Sequence, residues 1–288
     1  MTRIALLFLT LPLLSQDLSK EIAKIALEAE GKVAVACLLP GVKLKCGLNE
    51  KSQPPMQSVF KLPLAMAVLH AVEQGQFQVH QPIRFLKTDR FFPKTHSPLQ
   101  DQYPEADVDV PLSELMKLSV SASDNVAADV LLRVLGGPGK VQAFMDSLGI
   151  TGFQIKDGER GLHGDNQLQY RNWWTPESAV KVLSRISDKT PFNAENTKLL
   201  HQWMLETETG LKRLKGELPA GTAVYHKTGT SGTVNGVASA TNDVGFVQLK
   251  DGRRVAIAVF VSDSRASMEK REAVIAQIAK AIYDAVGH

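Results

Sequence analysis

A serine hydroxyl and a lysine amine stand three residues apart in Gln57-Ser58-Val59-Phe60-Lys61-Leu62-Pro63. The apolar run Leu62–Val72 that follows reads as a buried helix ending at Gly75. Residues i and i+3 share a helix face, so Lys61 falls one turn above Ser58. A serine needs a base to take its proton, and a desolvated lysine can be that base. Pro63 lacks an N–H and crowds the carbonyl four residues back, so the helix must begin close before it. Ser58 is then expected at a helix N-terminus, where free N–H groups favour developing negative charge. The same spacing recurs at Ser178/Lys181 and Ser267/Lys270, where a helix with a solvated lysine is the better reading.

Three further stretches could complete a site. Ser123-Asp124-Asn125 lies where one helix is expected to end and another to begin. There a serine can relay a proton and an asparagine can bind an amide, although all three types also favour plain N-caps. Lys227-Thr228-Gly229-Thr230-Ser231-Gly232 closes an expected strand. A lysine and hydroxyls can grip a carboxylate there, and glycine allows close approach to the backbone. Asp157-Gly158-Glu159-Arg160-Gly161-Leu162-His163 puts a carboxylate on a loop.

The elements that must position these residues follow from pattern. Helices are expected at Ser19–Glu30, Ser58–Gln74, Leu112–Leu118, Asn125–Leu135, Pro138–Leu148, from Thr175-Pro176-Glu177 to Ile186, from Asn193 to about Leu205, and at Met268–Val286. Phe77–Pro111 and residues 151–174 read as irregular. Strands are expected at Val33–Cys37, Val42–Cys46, Ala223–Lys227, Val244–Leu249 and Arg254–Val261, with Lys250-Asp251-Gly252 as a hairpin turn. β structure thus comes from both ends of the chain, around a helical block. The fold class is α+β: an antiparallel sheet flanked by terminal helices, plus an inserted all-helical lobe. The expected lobes are 17–57 with 208–288, and 58–207, in one catalytic domain, with the site in the cleft between them.

The 288 residues are 44% hydrophobic and 22% charged, an ordinary globular balance. A net charge of +3 without a basic cluster gives no case for nucleic acid as a partner. Met1-Thr2-Arg3, the apolar run Ile4–Leu14 and Ser15-Gln16-Asp17 read as a secretory signal peptide over residues 1–16, cleaved near Ser15 or Gln16. The mature protein is therefore expected to be periplasmic or secreted, with no membrane segment after signal removal. Cys37 and Cys46 would face each other in a hairpin centred between Gly41 and Val42; an oxidising compartment allows a disulfide, and two free thiols are the alternative.

Taken together and in order, Ser58-x-x-Lys61, Ser123-Asp124-Asn125 and Lys227-Thr228-Gly229 resemble the motifs of the penicillin-recognising serine enzymes. With Glu159 and Gln169-Tyr170-Arg171-Asn172-Trp173, the chain looks like a class A serine β-lactamase of the PER/VEB-like extended-spectrum branch, over residues 17 to the end. The resemblance implies hydrolysis of penicillins and cephalosporins through a Ser58 acyl-enzyme. Lys61, Ser123 and Glu159 would be catalytic, with Glu159 holding the hydrolytic water. Asn125, Arg213, Lys227, Thr228, Gly229, Thr230 and Ser231 would bind substrate, and Thr230 would share an oxyanion hole with Ser58. It implies a monomer, a small-molecule β-lactam as the partner, and neither metal nor cofactor. The alternatives are a DD-peptidase, which lacks the deacylating glutamate, and a β-lactam-binding sensor that stays acylated. The sequence departs from the family in three places. His163 stands where an asparagine is usual. Asp157 and Asn172 replace the ion pair that ties the ends of the glutamate loop. His96 is a poor match for the aromatic at the cleft mouth.

Overall fold

The computed structural model describes residues 11–91, 95–162, 167–188 and 191–287, with side chains from residue 18 onward. Helix α1 (Leu11–Ala26) leads into strand β1 (Lys32–Leu38). Then come α2 (Lys61–Glu73), β2 (Pro82–Phe85), α3 (Pro98–Gln102), β3 (Val108–Pro111), α4 (Leu112–Val120), α5 (Asn125–Leu135) and α6 (Pro138–Ser147). The chain continues through β4 (Phe153–Gln154), α7 (Glu159–Leu162), β5 (Trp173–Trp174), α8 (Pro176–Asp188) and α9 (Ala194–Leu205). It closes with β6 (Val224–Thr230), β7 (Thr233–Val234), β8 (Val237–Ala238), β9 (Thr241–Gln248), β10 (Arg254–Ser262) and α10 (Met268–Val286).

The main sheet has the antiparallel order β1-β10-β9-β6, so its strands come from both ends of the chain, as expected. Period-2 alternation sorts its side chains between two cores. From β10, Ala256, Ala258 and Phe260 join the core shared with the helices of the middle segment. Val255, Ile257, Val259 and Val261 join the core under α1 and α10. Helix α2 is buried at almost every position because it is apolar on all sides, which makes it the centre of the first core. Its polar first residue, Lys61, is thereby carried into the interior.

The middle segment is not wholly helical. β2 pairs with β3 and β4 with β5, inside the two stretches expected to be irregular. Pro82 and Pro111 sit opposite each other at one end of the β2–β3 ladder, where a missing N–H breaks no central bond. The expected strand Val42–Cys46 does not form. Bridges Val35↔Leu48 and Leu39↔Val42 bracket it, and the returning arm holds two more residues than the outgoing one, so it bows out of register. The Val35↔Leu48 register nevertheless sets Cys37 opposite Cys46, and the two form a disulfide with a Cα–Cα distance of 6.0 Å. Among the described residues, no helix is long and apolar enough to cross a membrane.

Candidate active site

Ser58 lies in a 3₁₀ turn, Gln57–Phe60, that winds directly into α2, as Pro63 requires. Lys61 opens α2 with its side chain fully buried, and its Nζ lies 3.1 Å from Ser58 Oγ. Burial of an ammonium demands acceptors. Lys61 has three more: Ser123 O at 2.8 Å, Asn125 Oδ1 at 2.6 Å and Glu159 Oε1 at 2.8 Å. Those contacts join the Ser58, Ser123 and Glu159 motifs at one amine.

Ser123 sits in the left-handed region at φ 59°, a strained setting for a serine. The turn is held from both sides. Asp124 caps α5 through Ala127 N, 2.8 Å away, and accepts Ser97 Oγ at 2.8 Å and Leu99 N at 2.6 Å. The ring of His96 bonds Ala122 O at 2.7 Å, and Asn125 N donates to His96 O. His96 thus braces the Ser123 turn. Ser123 Oγ accepts a hydrogen bond from Lys227 Nζ at 2.9 Å.

Strand β6 is the sheet's edge. Gln248 N donates to Ala223 O and Ser231 N to Ala240 O, so the odd-numbered residues of β6 bond β9. The even-numbered residues turn their N–H and C=O groups to the open edge. His226 O accepts Thr207 Oγ1 and Thr228 O accepts Lys227 Nζ on that side. Thr230 N–H therefore faces outward, toward the Ser58 turn that packs on β6. Lys227 is fully buried, and burial holds its ammonium well below the ordinary lysine range. Lys61 pushes the same way, while Glu159 and Asp243 oppose it.

The other substrate-side residues are partly committed to the protein. Arg213 is buried behind β6, paired with Glu272 at 3.1 Å, donating to Gly229 O and Asn242 O and reaching Thr230 Oγ1 at 2.8 Å. Thr228 Oγ1 lies 2.5 Å from Thr209 Oγ1. Ser231 Oγ accepts Ala240 N at 2.9 Å and donates to Gly232 O, closing the end of the strand.

Glu159 begins α7 and is buried, with Oε1 3.1 Å from Ser58 Oγ. Its backbone is fixed by Asp129, a residue the sequence reading missed. Asp129 Oδ1 accepts Glu159 N at 2.8 Å and Oδ2 accepts Arg160 N at 2.9 Å. Burial pushes the Asp129 carboxyl up, and those two N–H groups pull it back. One signal was available: Asp129 is one helical turn after Asn125, on the same face of α5. Asp157 and Asn172 form no ion pair, as expected. Instead the Asn172 amide accepts Lys156 N and Asp157 N and donates to Asp157 O, while Arg171 next door pairs with Asp157 at 3.2 Å. The loop ends are tied by an amide and a displaced salt bridge. Gln57 Nε2, beside the serine, donates to Gln169 Oε1, whose own amide reaches Ser239 Oγ, another link not read from sequence. His163 lies outside the described residues.

This arrangement can perform acyl transfer. It holds a hydroxyl between an amine and a carboxylate, a second hydroxyl beside a buried cation, and an edge N–H near the nucleophile's helix start.

Comparison with known proteins agrees with this chemistry. A model of the "Beta-lactamase enzyme family" matches residues 17–286. The chain is 41% identical to "Extended-spectrum beta-lactamase PER-1" of Pseudomonas aeruginosa, over 92% of this chain and 86% of that protein. It is 36% identical to "Beta-lactamase VEB-1" of the same organism, over 92% and 89%. The crystal structure of the TLA-3 extended-spectrum β-lactamase superposes with a TM-score of 0.92 at 39% identity, covering 95% of this chain and 100% of that one.

Proposed function

We propose a residue-by-residue mechanism for this chain, which belongs to the β-lactamase enzyme family and is a class A serine β-lactamase of the extended-spectrum kind. It is a hydrolase whose activity confers resistance to β-lactam antibiotics; the DD-peptidase and sensor alternatives are not favoured. The observation that carries the mechanism is Ser58 Oγ lying 3.1 Å from both Lys61 Nζ and Glu159 Oε1.

In acylation Ser58 Oγ attacks the lactam carbonyl as Lys61 or Glu159, directly or through a water, takes its proton. Oxygen becomes negative in the tetrahedral intermediate, and the N–H groups of Ser58 and Thr230 hold it. Such a donor is worth roughly 3–4 kcal/mol in comparable sites. The C–N bond then breaks, the ring nitrogen takes a proton from Ser123 Oγ, which the Lys227 ammonium supports from 2.9 Å, and Ser123 recovers the proton that left Ser58. Lys227 and Thr228, with Gly229 giving backbone access and Ser231 at the strand end, receive the substrate carboxylate; Arg213 orders this edge through Thr230. Asn125 receives the side-chain amide. In deacylation Glu159 takes a proton from water, whose oxygen attacks the Ser58 ester; the bond to Ser58 Oγ breaks, and that proton returns to Ser58 and frees the enzyme.

The mature chain, from about residue 17, is one catalytic domain with lobes 17–57 plus 208–288 and 58–207, and acts as a monomer. Residues 1–10 of the signal peptide lie outside the described residues. Export, to the periplasm or the medium, is supported by the sequence of the N-terminus and by the Cys37–Cys46 disulfide, which suits an oxidising compartment.

The test is covalent labelling. Penicillin should add an acyl mass to the native protein and none to Ser58→Ala, while Ser178→Ala and Ser267→Ala keep turning over a chromogenic cephalosporin. An adduct on folded Ser58→Ala refutes the nucleophile.

A further inference from the structure

The two N–H groups assigned to the oxyanion belong to different elements, and something must fix their separation. Thr230 is one residue beyond Gly229 in β6, and Ser58 is two residues beyond Met56. These neighbours touch. A Cβ on Gly229 would stand 2.4 Å from Met56 O, so the Met56 carbonyl lies directly on the bare backbone of β6. Opposite Gly229 in the ladder is Asn242 of β9. Its side chain is fully buried, and its Nδ2 donates to Pro55 O at 2.9 Å and to Met56 O at 3.3 Å. Glycine supplies the room and the cross-strand asparagine supplies the donor. Met56 O also accepts Val59 N, the bond that closes the turn carrying Ser58.

We infer that Asn242 is a positioning residue for the oxyanion hole: from β9 it clamps the Pro55-Met56 carbonyls onto Gly229 and so sets the distance between the N–H groups of Ser58 and Thr230. This rests on the mechanism proposed above and assigns to it a residue that touches no reacting atom. The contribution of Asn242 lies in its two directed N–H bonds, because its Oδ1 is buried and meets no donor among the described residues.

The test uses the Glu159→Gln protein, in which the acyl-enzyme should persist, with a penicillin labelled at the lactam carbonyl. Asn242→Leu, of similar shape and without a donor, and Asn242→Ala are made in that background and in the native enzyme. Acylation should slow by roughly tenfold to a hundredfold, as for a misplacement of up to about 1 Å at a reacting group. Affinity for the precovalent complex should stay within about twofold. The ester carbonyl stretch of the trapped acyl-enzyme should rise in frequency, because weaker N–H donation polarises the carbonyl less, and Tm should fall because Pro55 O loses its donor. A slower rate and lower Tm with an unmoved carbonyl band would make Asn242 a structural residue and overturn the inference, as would unchanged rate and band. Should one variant not fold, the band position in the other decides. If the native enzyme forms no adduct, the underlying mechanism fails and the inference with it; if only the Glu159→Gln parent forms none, Glu159 is the acylation base and an unchanged acylation rate of Asn242→Leu in the native enzyme refutes the inference; an adduct with an unshifted band in the variants refutes the inference alone.

Discussion

Glu159→Gln separates the two halves of the reaction. Glu159 Oε1 meets Ser58 Oγ at 3.1 Å and Lys61 Nζ at 2.8 Å, and the residue's backbone is held independently by Asp129. Glutamine keeps the volume and the backbone anchor, so α7 should stay in place. It can still offer Lys61 an amide oxygen, but it cannot take a proton. Loss of a general base costs about 10²–10⁴ in rate, or about 2.7–5.4 kcal/mol of barrier. Deacylation should carry that loss, because in acylation the neutral amine of Lys61, 3.1 Å from the hydroxyl, can still take the proton. In its protonated form Lys61 is not stranded. Ser123 O, Asn125 Oδ1 and Ser58 Oγ remain as acceptors. The stability cost should therefore be near that of one charge-assisted hydrogen bond, about 1.5–3 kcal/mol. That is below the roughly 3–5 kcal/mol for stranding a buried charge. Mass spectrometry after mixing with a cephalosporin should find the acyl-enzyme accumulating, with steady-state turnover down at least about a hundredfold. Turnover at the native rate would refute the assignment, and the base would have to be sought elsewhere, with His163 first. Failure to acylate would instead make Glu159 the acylation base.

Lys227 must be a cation to hold a carboxylate, and burial disfavours its proton. Activity toward a carboxylate-bearing β-lactam should thus fall on an alkaline limb well below 10.5, and Lys227→Arg, whose guanidinium keeps its proton, should move that limb upward. A limb unmoved in Lys227→Arg would sink the assignment. The same shift fixes a stability trend: between the folded pKa and the unfolded value the unfolded chain binds the extra proton, so stability should rise with pH across that window. Thr230 and Ser231 place hydroxyls at the cleft end of β6, and kcat/KM for an oxyimino-cephalosporin should be within a hundredfold of that for benzylpenicillin; a larger deficit, beyond about 2.7 kcal/mol, would reject the extended-spectrum reading of this edge.

The residues that perform chemistry were legible because they come in short local patterns whose geometry a helix or strand fixes. Ser58 and Lys61 meet one turn apart, and Lys227 to Thr230 run along one edge strand with Ser231 just past its end. The residues that hold them are hard to read for the opposite reason. Asp129 acts on backbone 30 residues away, and Asn242 on backbone 186 and 187 residues away. Each is a single polar residue whose partner is a peptide group, and a peptide group leaves no mark in the sequence. Asn172 shows the same limit: reading it as a lost salt-bridge partner was right about charge and silent about its amide, which ties the loop through three backbone bonds. The β7–β8 hairpin is a different case. Its turn residues Asn235 and Gly236 both adopt positive φ, the conformation an Asn-Gly pair favours, so the sequence does carry a hairpin signal just after the Lys227 motif. The short β2–β3 and β4–β5 ladders gave no such signal, since strands of two to four residues hold too few alternations to register. A site of this kind is therefore written twice in the chain, once as motifs that carry protons and once as scattered amides and carboxylates that aim the backbone. The second set becomes readable only when the fold shows which peptide groups need a partner.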